Sequence, residues 1–205
     1  MNFYKYEKKI LKRRTYNRSK LNIFLSILIL SIFPHSFANN VINNISQIDD
    51  ANKKWCNFYY EKYHMSKLTD SVTGLKFSKS KFRNLAIAMA KWESGLNSNK
   101  IQYEPTVNMN AYGTYAILSP TARDRGWKGK DPKELLDPDI NAKFAIKHFA
   151  LKIIRYNGNT IYALASYNGG KLRWTKKNKI KNQKYIDNVY PIFVMINQYW
   201  KLHRV

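Results

Sequence analysis

Apolar residues at three- and four-residue spacing constrain the fold of this chain more than any other feature of its sequence. The longest such stripe comprises Ala142, Ala145, Ile146, Phe149, Ala150, Ile153 and Ile154. It lies between a helix start at residues 137–139 (Asp-Pro-Asp) and a helix stop at residues 157–158 (Asn-Gly). No segment shows the period-two alternation of a half-buried strand. The sequence therefore predicts a mainly α fold.

Further stripes and punctuating residues predict the remaining helices. Trp55, Cys56, Tyr59 and Tyr63 indicate a first helix, and Ser80 is the predicted cap of a second one that ends at Gly95. Short helices are expected from Ser119 to Gly126, and from a Thr160 cap through Ala165 to a stop at Gly169 and Gly170. Val189, Ile192, Phe193, Ile196 and Trp200 mark a final helix, in which Pro191 is expected only in the first turn.

The first 38 residues have the composition of a secretory signal peptide. Eight basic side chains precede residue 21, and residues 21–33 form an apolar core of 13 residues. Small residues, Ser36 and Ala38, then stand where a signal peptidase acts, so cleavage is expected after Ala38. A retained anchor is the alternative, although this core is shorter than the roughly 20 residues of a spanning helix. Residues 39–79 are predicted to form an N-terminal lead-in and the first helix. The lead-in is expected to be loose from residue 39 to residue 50.

The chain carries a formal charge of +23, of which +16 remains after the first 20 residues are excluded. A surface this cationic attracts anionic polymers of any kind, including nucleic acid, anionic lipid and the acidic cell wall. An exported protein meets the wall first, so the wall is the expected partner. Cys56 is the only cysteine, which excludes an internal disulfide and predicts a buried thiol.

Glu93 is the first candidate for chemistry. It continues the apolar stripe of Phe82, Leu85, Ala86, Met89 and Ala90, two residues before the helix stop. Burial and the negative end of the helix dipole both disfavour its ionised form, which raises a carboxyl pKa toward that of a general acid. On spacing alone, a glutamate turned to solvent or paired with a lysine is the more ordinary interpretation, because many helices end this way.

Five short motifs in order resemble the lytic transglycosylases with a soluble-type SLT catalytic domain, relatives of goose-type lysozyme. Glu93-Ser94 matches the family's Glu-Ser pair at a helix end. Residues 110–116 (Asn-Ala-Tyr-Gly-Thr-Tyr-Ala) match its Gly-Ala-x-Gly-Leu-Met-Gln loop, and residues 137–141 match Asp-Pro-x-x-Asn. Residues 166–170 (Ser-Tyr-Asn-Gly-Gly) match Ala-Tyr-Asn-x-Gly, and residues 185–189 match Tyr-Val-x-x-Val.

The resemblance implies one lysozyme-like, mainly α domain within an α+β superfamily, at residues 80–205, around a glycan-binding groove. Glu93 would be the catalytic acid that cleaves the β-1,4 bond from N-acetylmuramic acid to N-acetylglucosamine and forms 1,6-anhydromuramic acid. The implied substrate-binding residues are Ser94, Gly113, Tyr115, Ala116, Tyr167, Asn168 and Tyr185. Of these, Tyr185 would approach the Glu93 carboxylate, with Tyr190 as its alternative match. The family needs no second carboxylate, and the next acids, Glu104, Asp124 and Asp131, are expected at the surface.

One departure from the family motif concerns position 116. The family's glutamine, which helps to hold the sugar, is Ala116 here, and its Leu-Met pair is Thr114-Tyr115. This departure permits a cationic wall- or nucleic-acid-binding protein with weak activity as an alternative. A hydrolytic muramidase is the rival within the same enzyme class, and its products would distinguish it. Tyr115 is one candidate for a substitute hydrogen bond.

The partners expected from these features are peptidoglycan strands, in the periplasm or cell envelope. No cofactor or metal is expected, because His64, His148 and His203 lack metal-ligand spacing. A monomer is expected, and a secretion, conjugation or phage apparatus is an admissible context, with no specific nucleic acid. Residues 171–184 form a basic loop around Trp174, which suits nucleic-acid bases, acidic stem peptides or plain solvent.

Overall fold

The computed structural model describes residues 35–177 and 179–202, with side chains described from residue 48 to residue 201 within these ranges. The chain divides into two units, Met1–Asn40 and Val41–Val205, and the described residues 35–40 of the first unit are helical. The basic run and the apolar core of the predicted signal peptide lie outside the described residues. Within the described residues, no helix has both the length and the apolar character needed to cross a membrane.

Six α-helices contain most of the described residues, which confirms the mainly α prediction. They are α1 (His35–Lys62), α2 (Lys79–Ser94), α3 (Ser119–Asp124), α4 (Pro138–Arg155), α5 (Thr160–Gly169) and α6 (Gln183–Leu202). Short 3-10 helices occupy Met65–Lys67 and Pro132–Leu136. The expectation that residues 39–50 form a loose lead-in is wrong, because these residues belong to helix α1. From residue 48 onward, the buried side chains of Ile48, Asn52, Cys56 and Tyr59 show that one face of this helix is packed, despite its polar composition.

A small antiparallel sheet is the main feature that the sequence did not predict. Its strands are β1 (Ile101–Glu104), β2 (Met109–Tyr112) and β3 (Ile117–Leu118), in the order β1-β2-β3. Ile101 pairs with Tyr112, and Glu104 pairs with Met109 beside the turn. Strands of two to four residues are too short to produce a visible period-two pattern, so only their pairing reveals them.

The hydrophobic core lies between α2, α4 and α6. Fully buried side chains from these helices include Phe82, Leu85 and Met89 of α2, Phe149 and Ile153 of α4, and Val189 and Ile196 of α6. The rings of Phe82 and Phe149 stack with centroids 5.8 Å apart. Helix α5 packs against both α4 and α6. Cys56 is buried as predicted.

Three details of the helices differ from the expectations. Ser78, rather than Ser80, caps α2 by accepting a hydrogen bond from the Lys81 amide, and Asn159, rather than Thr160, caps α5. Pro191 lies in the interior of α6 instead of its first turn. Buried residues on both sides of Pro191, such as Val189 and Phe193, hold the helix together where one backbone hydrogen bond is missing.

Candidate active site

Glu93 lies in the last turn of α2, as the apolar stripe predicts. The helix ends at Gly95, whose φ of 71° is the left-handed conformation that favours glycine. Lys100 Nζ donates a hydrogen bond of 2.7 Å to the Glu93 carbonyl oxygen. A cation at this position neutralises the negative end of the helix and fixes the backbone that carries the Glu93 side chain.

The Glu93 carboxylate accepts a hydrogen bond from the Tyr185 hydroxyl, with an Oη–Oε1 distance of 2.8 Å. Tyr185 is buried in the first turn of α6, and α6 packs along α2, so the core itself sets this contact. Tyr190, the alternative match in the sequence, packs on Phe193 instead, with ring centroids 5.5 Å apart. Of the two tyrosine residues, Tyr185 is thus the one whose hydroxyl is hydrogen-bonded to Glu93.

The surroundings of Glu93 raise its pKa from 4.5 to about 7. Burial is the largest cause, and the Glu104 carboxylate adds to it, whereas the Tyr185 hydrogen bond and the Lys100 charge lower the pKa. Burial together with the Glu93 charge raises the pKa of Tyr185 well above its usual range. Near neutral pH, Tyr185 is thus a protonated donor, and about half of the Glu93 carboxyl groups carry a proton.

Tyr167 and Asn168 lie near the end of α5, next to Tyr185. The rings of Tyr167 and Tyr185 stack with centroids 6.5 Å apart. The Tyr167 hydroxyl donates a 3.4 Å hydrogen bond to the Tyr115 carbonyl oxygen, and burial together with the Glu93 charge raises the pKa of Tyr167 well above its usual range. Asn168 is exposed, and its side-chain oxygen accepts a hydrogen bond from Asn182. The structure therefore brings Glu93, Tyr167 and Tyr185 together.

The turn at residues 113–116 is held against α4 by Asn141. The buried Asn141 amide donates to the carbonyl oxygens of Tyr112 and Leu135, and its oxygen accepts from the Tyr115 amide at 2.9 Å. Gly113 has a φ of 72°, and a Cβ there would lie 2.5 Å from both the Leu135 carbonyl oxygen and the Asn141 side-chain nitrogen. Only glycine fits this approach, because it has no Cβ.

Ser94 and Tyr115 fix the turn from the other side. The buried Ser94 hydroxyl donates to the Thr114 carbonyl oxygen at 2.8 Å, and the Ala90 carbonyl oxygen is a second possible acceptor at 3.2 Å. Tyr115 is only 2% exposed, and its hydroxyl donates a 2.8 Å hydrogen bond to Asn52 of α1. The Tyr115 ring is therefore a core side chain, which corrects the expectation that it supplies a substitute hydrogen bond to the sugar.

Ala116 completes the turn in an unusual conformation. Its φ of 45° lies in the left-handed region, and its amide donates a 3.0 Å hydrogen bond to the Gly113 carbonyl oxygen. The residue is partly exposed, unlike its buried neighbours Tyr115 and Ile117. A side chain at position 116 therefore reaches toward solvent, which is the direction that a residue in contact with a ligand requires.

Glu104 is not the isolated surface acid that the sequence suggested. It lies on β1, is only partly exposed, and is close enough to Glu93 for its charge to raise the pKa of that carboxyl. Gln102, two residues earlier on the same strand face, donates a 2.7 Å hydrogen bond to the Glu104 carboxylate. Asp124 and Asp131 are exposed, as expected. The short strands brought Glu104 into the site, so sequence periodicity gave no sign of it.

Residues 77–190 match the family described as the Transglycosylase SLT domain, which is more than half of the chain. This chain belongs to the SLT transglycosylase family. No curated protein matches it. A crystal structure of the lytic transglycosylase Slt from Pseudomonas aeruginosa, in an inactive mutant, is similar with a TM-score of 0.48 and 19% sequence identity. The match covers 58% of this chain and 22% of that one, so the present chain spans about a fifth of the other protein.

Two residues that position the site were not among the predicted site residues. Asn141 is the last residue of the Asp-Pro-x-x-Asn motif, and its place in that motif was the sequence signal that could have pointed to its role in holding the turn at residues 113–116. Asn52 belongs to α1, outside the matched residues, and no sequence signal connects it with Tyr115. Among the described residues, no group of three His, Cys, Asp or Glu side chains is arranged to hold a metal ion.

Proposed function

We propose that this protein is a peptidoglycan lytic transglycosylase with Glu93 as its catalytic acid. The observation that carries the proposal is a carboxyl group with a pKa of about 7 at the end of α2, held by the Tyr185 hydroxyl at 2.8 Å. Membership of the SLT transglycosylase family supports peptidoglycan as the substrate. Tyr167 and Asn168 bind the glycan beside Glu93, whereas Ser94, Gly113 and Tyr115 position the turn that carries Ala116.

The proposed reaction needs one carboxyl group, which acts twice. Protonated Glu93 gives its proton to the glycosidic oxygen as the bond from muramic acid C1 to that oxygen breaks. The resulting carboxylate then takes the proton of the muramyl 6-hydroxyl as O6 bonds to C1 and closes the 1,6-anhydro ring. The Glu93 proton is thus restored, and no water is consumed. Tyr185 keeps the carboxyl oriented throughout, because its own raised pKa preserves the donor proton.

Glu93→Gln tests this assignment. The variant keeps the shape of the side chain and an oxygen that accepts the Tyr185 hydrogen bond, but it has no titrating proton. We expect it to fold and to release no soluble fragments from purified sacculi. Fragments released by the unsubstituted protein should end in 1,6-anhydromuramic acid, which mass spectrometry detects as a loss of water and which does not react with borohydride. Full activity in Glu93→Gln would refute the assignment.

A hydrolytic muramidase is the second candidate, and Glu104 is the specific observation that favours it. Two nearby carboxyl groups are what an enzyme that activates water requires. In a hydrolase, borohydride would reduce the new muramic acid ends, and Glu104→Gln would abolish cleavage. In the transglycosylase that we propose, Glu104→Gln keeps cleaving. Loss of the Glu104 charge then lowers the pKa of Glu93, so activity is lost at a lower pH on the alkaline side.

The proposed substrate lies outside the cytoplasm, which agrees with the signal peptide predicted at residues 1–38. N-terminal sequencing of the exported protein should then find a chain that begins at or near Asn39. A protein in the cell envelope that still begins with Met1 would instead indicate a retained anchor. In either case, a peptidoglycan lytic enzyme in the periplasm or envelope is the proposed context.

A further inference from the structure

The positive charge of this protein is concentrated in one stretch of sequence. Residues 140–186 contain 11 lysine and arginine residues and no aspartate or glutamate. This stretch includes most of α4, all of α5 and the segment from 171 to 182, which we call the cationic loop. Because the whole chain beyond residue 20 has a net charge of +16, more than half of that charge lies here.

The cationic loop has a defined conformation over its described residues. Trp174 and Ile180 form an isolated antiparallel bridge, and the Lys181 amide donates a 2.9 Å hydrogen bond to the Arg173 carbonyl oxygen. The Thr175 amide donates to the Lys179 carbonyl oxygen at 2.8 Å. All six cations of the loop are exposed, and none forms an ion pair with a described residue: Lys171, Arg173, Lys176, Lys177, Lys179 and Lys181.

Both ends of the loop are anchored to the helices by hydrogen bonds, and its last residue, Asn182, contacts Asn168. At its start, the Leu172 amide donates to the Tyr156 hydroxyl at 3.1 Å, and Lys152 donates to the Gly170 carbonyl oxygen. At its end, the Asn182 side-chain amide donates to the Ala165 carbonyl oxygen at 3.1 Å and to the Asn168 side-chain oxygen at 3.3 Å. The loop therefore follows directly from Asn168, one of the residues that the proposed function assigns to the glycan.

Trp174 adds an apolar surface among these cations. Its side chain is 51% exposed, and its ring packs edge-on against Tyr162 with centroids 5.8 Å apart. A ring of this kind stacks on the apolar face of a sugar, while the surrounding lysine residues attract carboxylates. A glycan strand with acidic peptides presents both features, and the loop begins three residues after Asn168 in the sequence.

We propose that the cationic loop binds the carboxylates of the peptide stems on the peptidoglycan strand, outside the site of cleavage. This inference rests on the proposed function, because it takes peptidoglycan as the substrate. Lys176 and Lys179 attract the stem carboxylates, and Trp174 lies against the neighbouring sugar. The loop thereby favours strands that still carry their peptides over strands from which the peptides have been removed.

The test compares two triple variants in the Glu93→Gln background, which prevents cleavage during binding. Lys171→Gln/Lys176→Gln/Lys179→Gln removes three loop charges at exposed positions whose side chains form no ion pair with a described residue. Lys128→Gln/Lys130→Gln/Lys133→Gln removes three exposed charges elsewhere and is the matched control. Affinity is measured at low salt on intact sacculi and on glycan strands freed of peptides by an amidase.

We expect the loop variant to bind intact sacculi about fivefold more weakly than its parent, since each exposed pair contributes a fraction of a kcal/mol. The control should change far less, and the difference between the two variants should shrink on peptide-free strands. Equal affinity of both variants for intact sacculi would overturn the inference. Affinity for single-stranded DNA is measured as well. A loop variant that loses only this affinity would also overturn the inference, because the loop would then be a nucleic-acid site.

The proposed function is tested separately by cleavage of peptide-free strands with the unsubstituted protein. If those strands are cut to anhydro ends while the loop variant binds sacculi normally, only the inference about the loop fails. If the unsubstituted protein cuts neither intact sacculi nor peptide-free strands, the proposed function fails instead.

Discussion

At the scale of single residues, the Glu93–Tyr185 contact sets the protonation of the proposed acid. Burial raises the pKa of Glu93 to about 7, and the hydrogen bond from Tyr185 opposes that rise because it stabilises the charged carboxylate. The acid must be protonated to act, so activity should be lost as the pH rises through this pKa. The Tyr185 hydroxyl thus determines where the alkaline side of the pH profile lies.

Tyr185→Phe tests this role of the hydroxyl. Its removal should raise the pKa of Glu93 further, so the alkaline limb of sacculus solubilisation should move to higher pH. The loss of one hydrogen bond should also lower the free energy of unfolding by about 1 kcal/mol. Tyr60→Phe is the matched control, because the buried Tyr60 hydroxyl donates a 2.8 Å hydrogen bond to the Phe77 carbonyl oxygen instead. An identical pH profile in both variants would show that Tyr185 does not tune Glu93.

At the scale of elements, the site depends on how the turn at residues 113–116 is packed. Neither strand β2 nor helix α2 fixes this turn alone. Asn141 of α4 holds it from one side, through hydrogen bonds with the Tyr115 amide and with the Tyr112 carbonyl oxygen just before the turn. The Ser94 hydroxyl at the end of α2 holds it from the other side. The turn can therefore approach Glu93 only when three elements are assembled.

Gly113→Ala tests how tightly this turn is packed. The new Cβ would meet the Leu135 carbonyl oxygen at 2.5 Å, and the φ of 72° is unfavourable for alanine. We expect a loss of about 3 kcal/mol in the free energy of unfolding, together with weaker activity. Gly74→Ala is the control, because Gly74 has a φ of 73° but a Cβ added there would meet no atom within 4 Å. The free energy of unfolding of Gly74→Ala should fall by only about 1 kcal/mol. Urea unfolding gives both values, and equal losses would mean that the turn can shift without cost.

At the scale of the whole molecule, a buried ion pair connects distant parts of the domain. Asp70 is fully buried, and its carboxylate accepts hydrogen bonds from Lys81 of α2, from Thr73, and from Thr160 of α5 at 3.2 Å. Burial raises the pKa of Asp70, but the hydrogen bonds and the charge of Lys81 outweigh it and lower the pKa below 3.8. The segment before α2 is thereby fastened to two helices of the core.

Asp70→Asn should lower the free energy of unfolding at pH 7 by about 3 kcal/mol, because Lys81 is left without its partner. Since the pKa of Asp70 is lowered by folding, its contribution is present above pH 3.8 and is lost as the pH falls through the folded value. The deficit of the variant should therefore shrink in acid. Glu61→Gln, which breaks the exposed pair with Lys79, is the control and should change stability little. Denaturant unfolding at several pH values measures both, and a deficit that stays constant into strong acid would contradict this account.

The sequence by itself determined the helical elements and the position of Glu93. The three- and four-residue spacing of apolar side chains is a local property, so it predicted α2, α4 and the end of α2 at Gly95 within a residue or two. The order of the five motifs likewise predicted the SLT family, because those motifs are also local. Cap residues were less certain, since Ser78 and Ser80 lie within one turn and only the observed hydrogen bond distinguishes them.

The motif resemblance named Tyr185 or Tyr190 as the neighbour of Glu93, but only the tertiary structure decided between them and fixed the other contacts of the site. Tyr185 lies 92 positions away in sequence, and the partner of the Tyr115 hydroxyl, Asn52, lies 63 positions away. No periodicity encodes such separations, because they follow from how α1, α2 and α6 pack. The same holds for Glu104, which short strand pairing brings toward Glu93, and for Pro191, which the packing of α6 tolerates. The acid is therefore a property of one helix, whereas its pKa is a property of the folded domain.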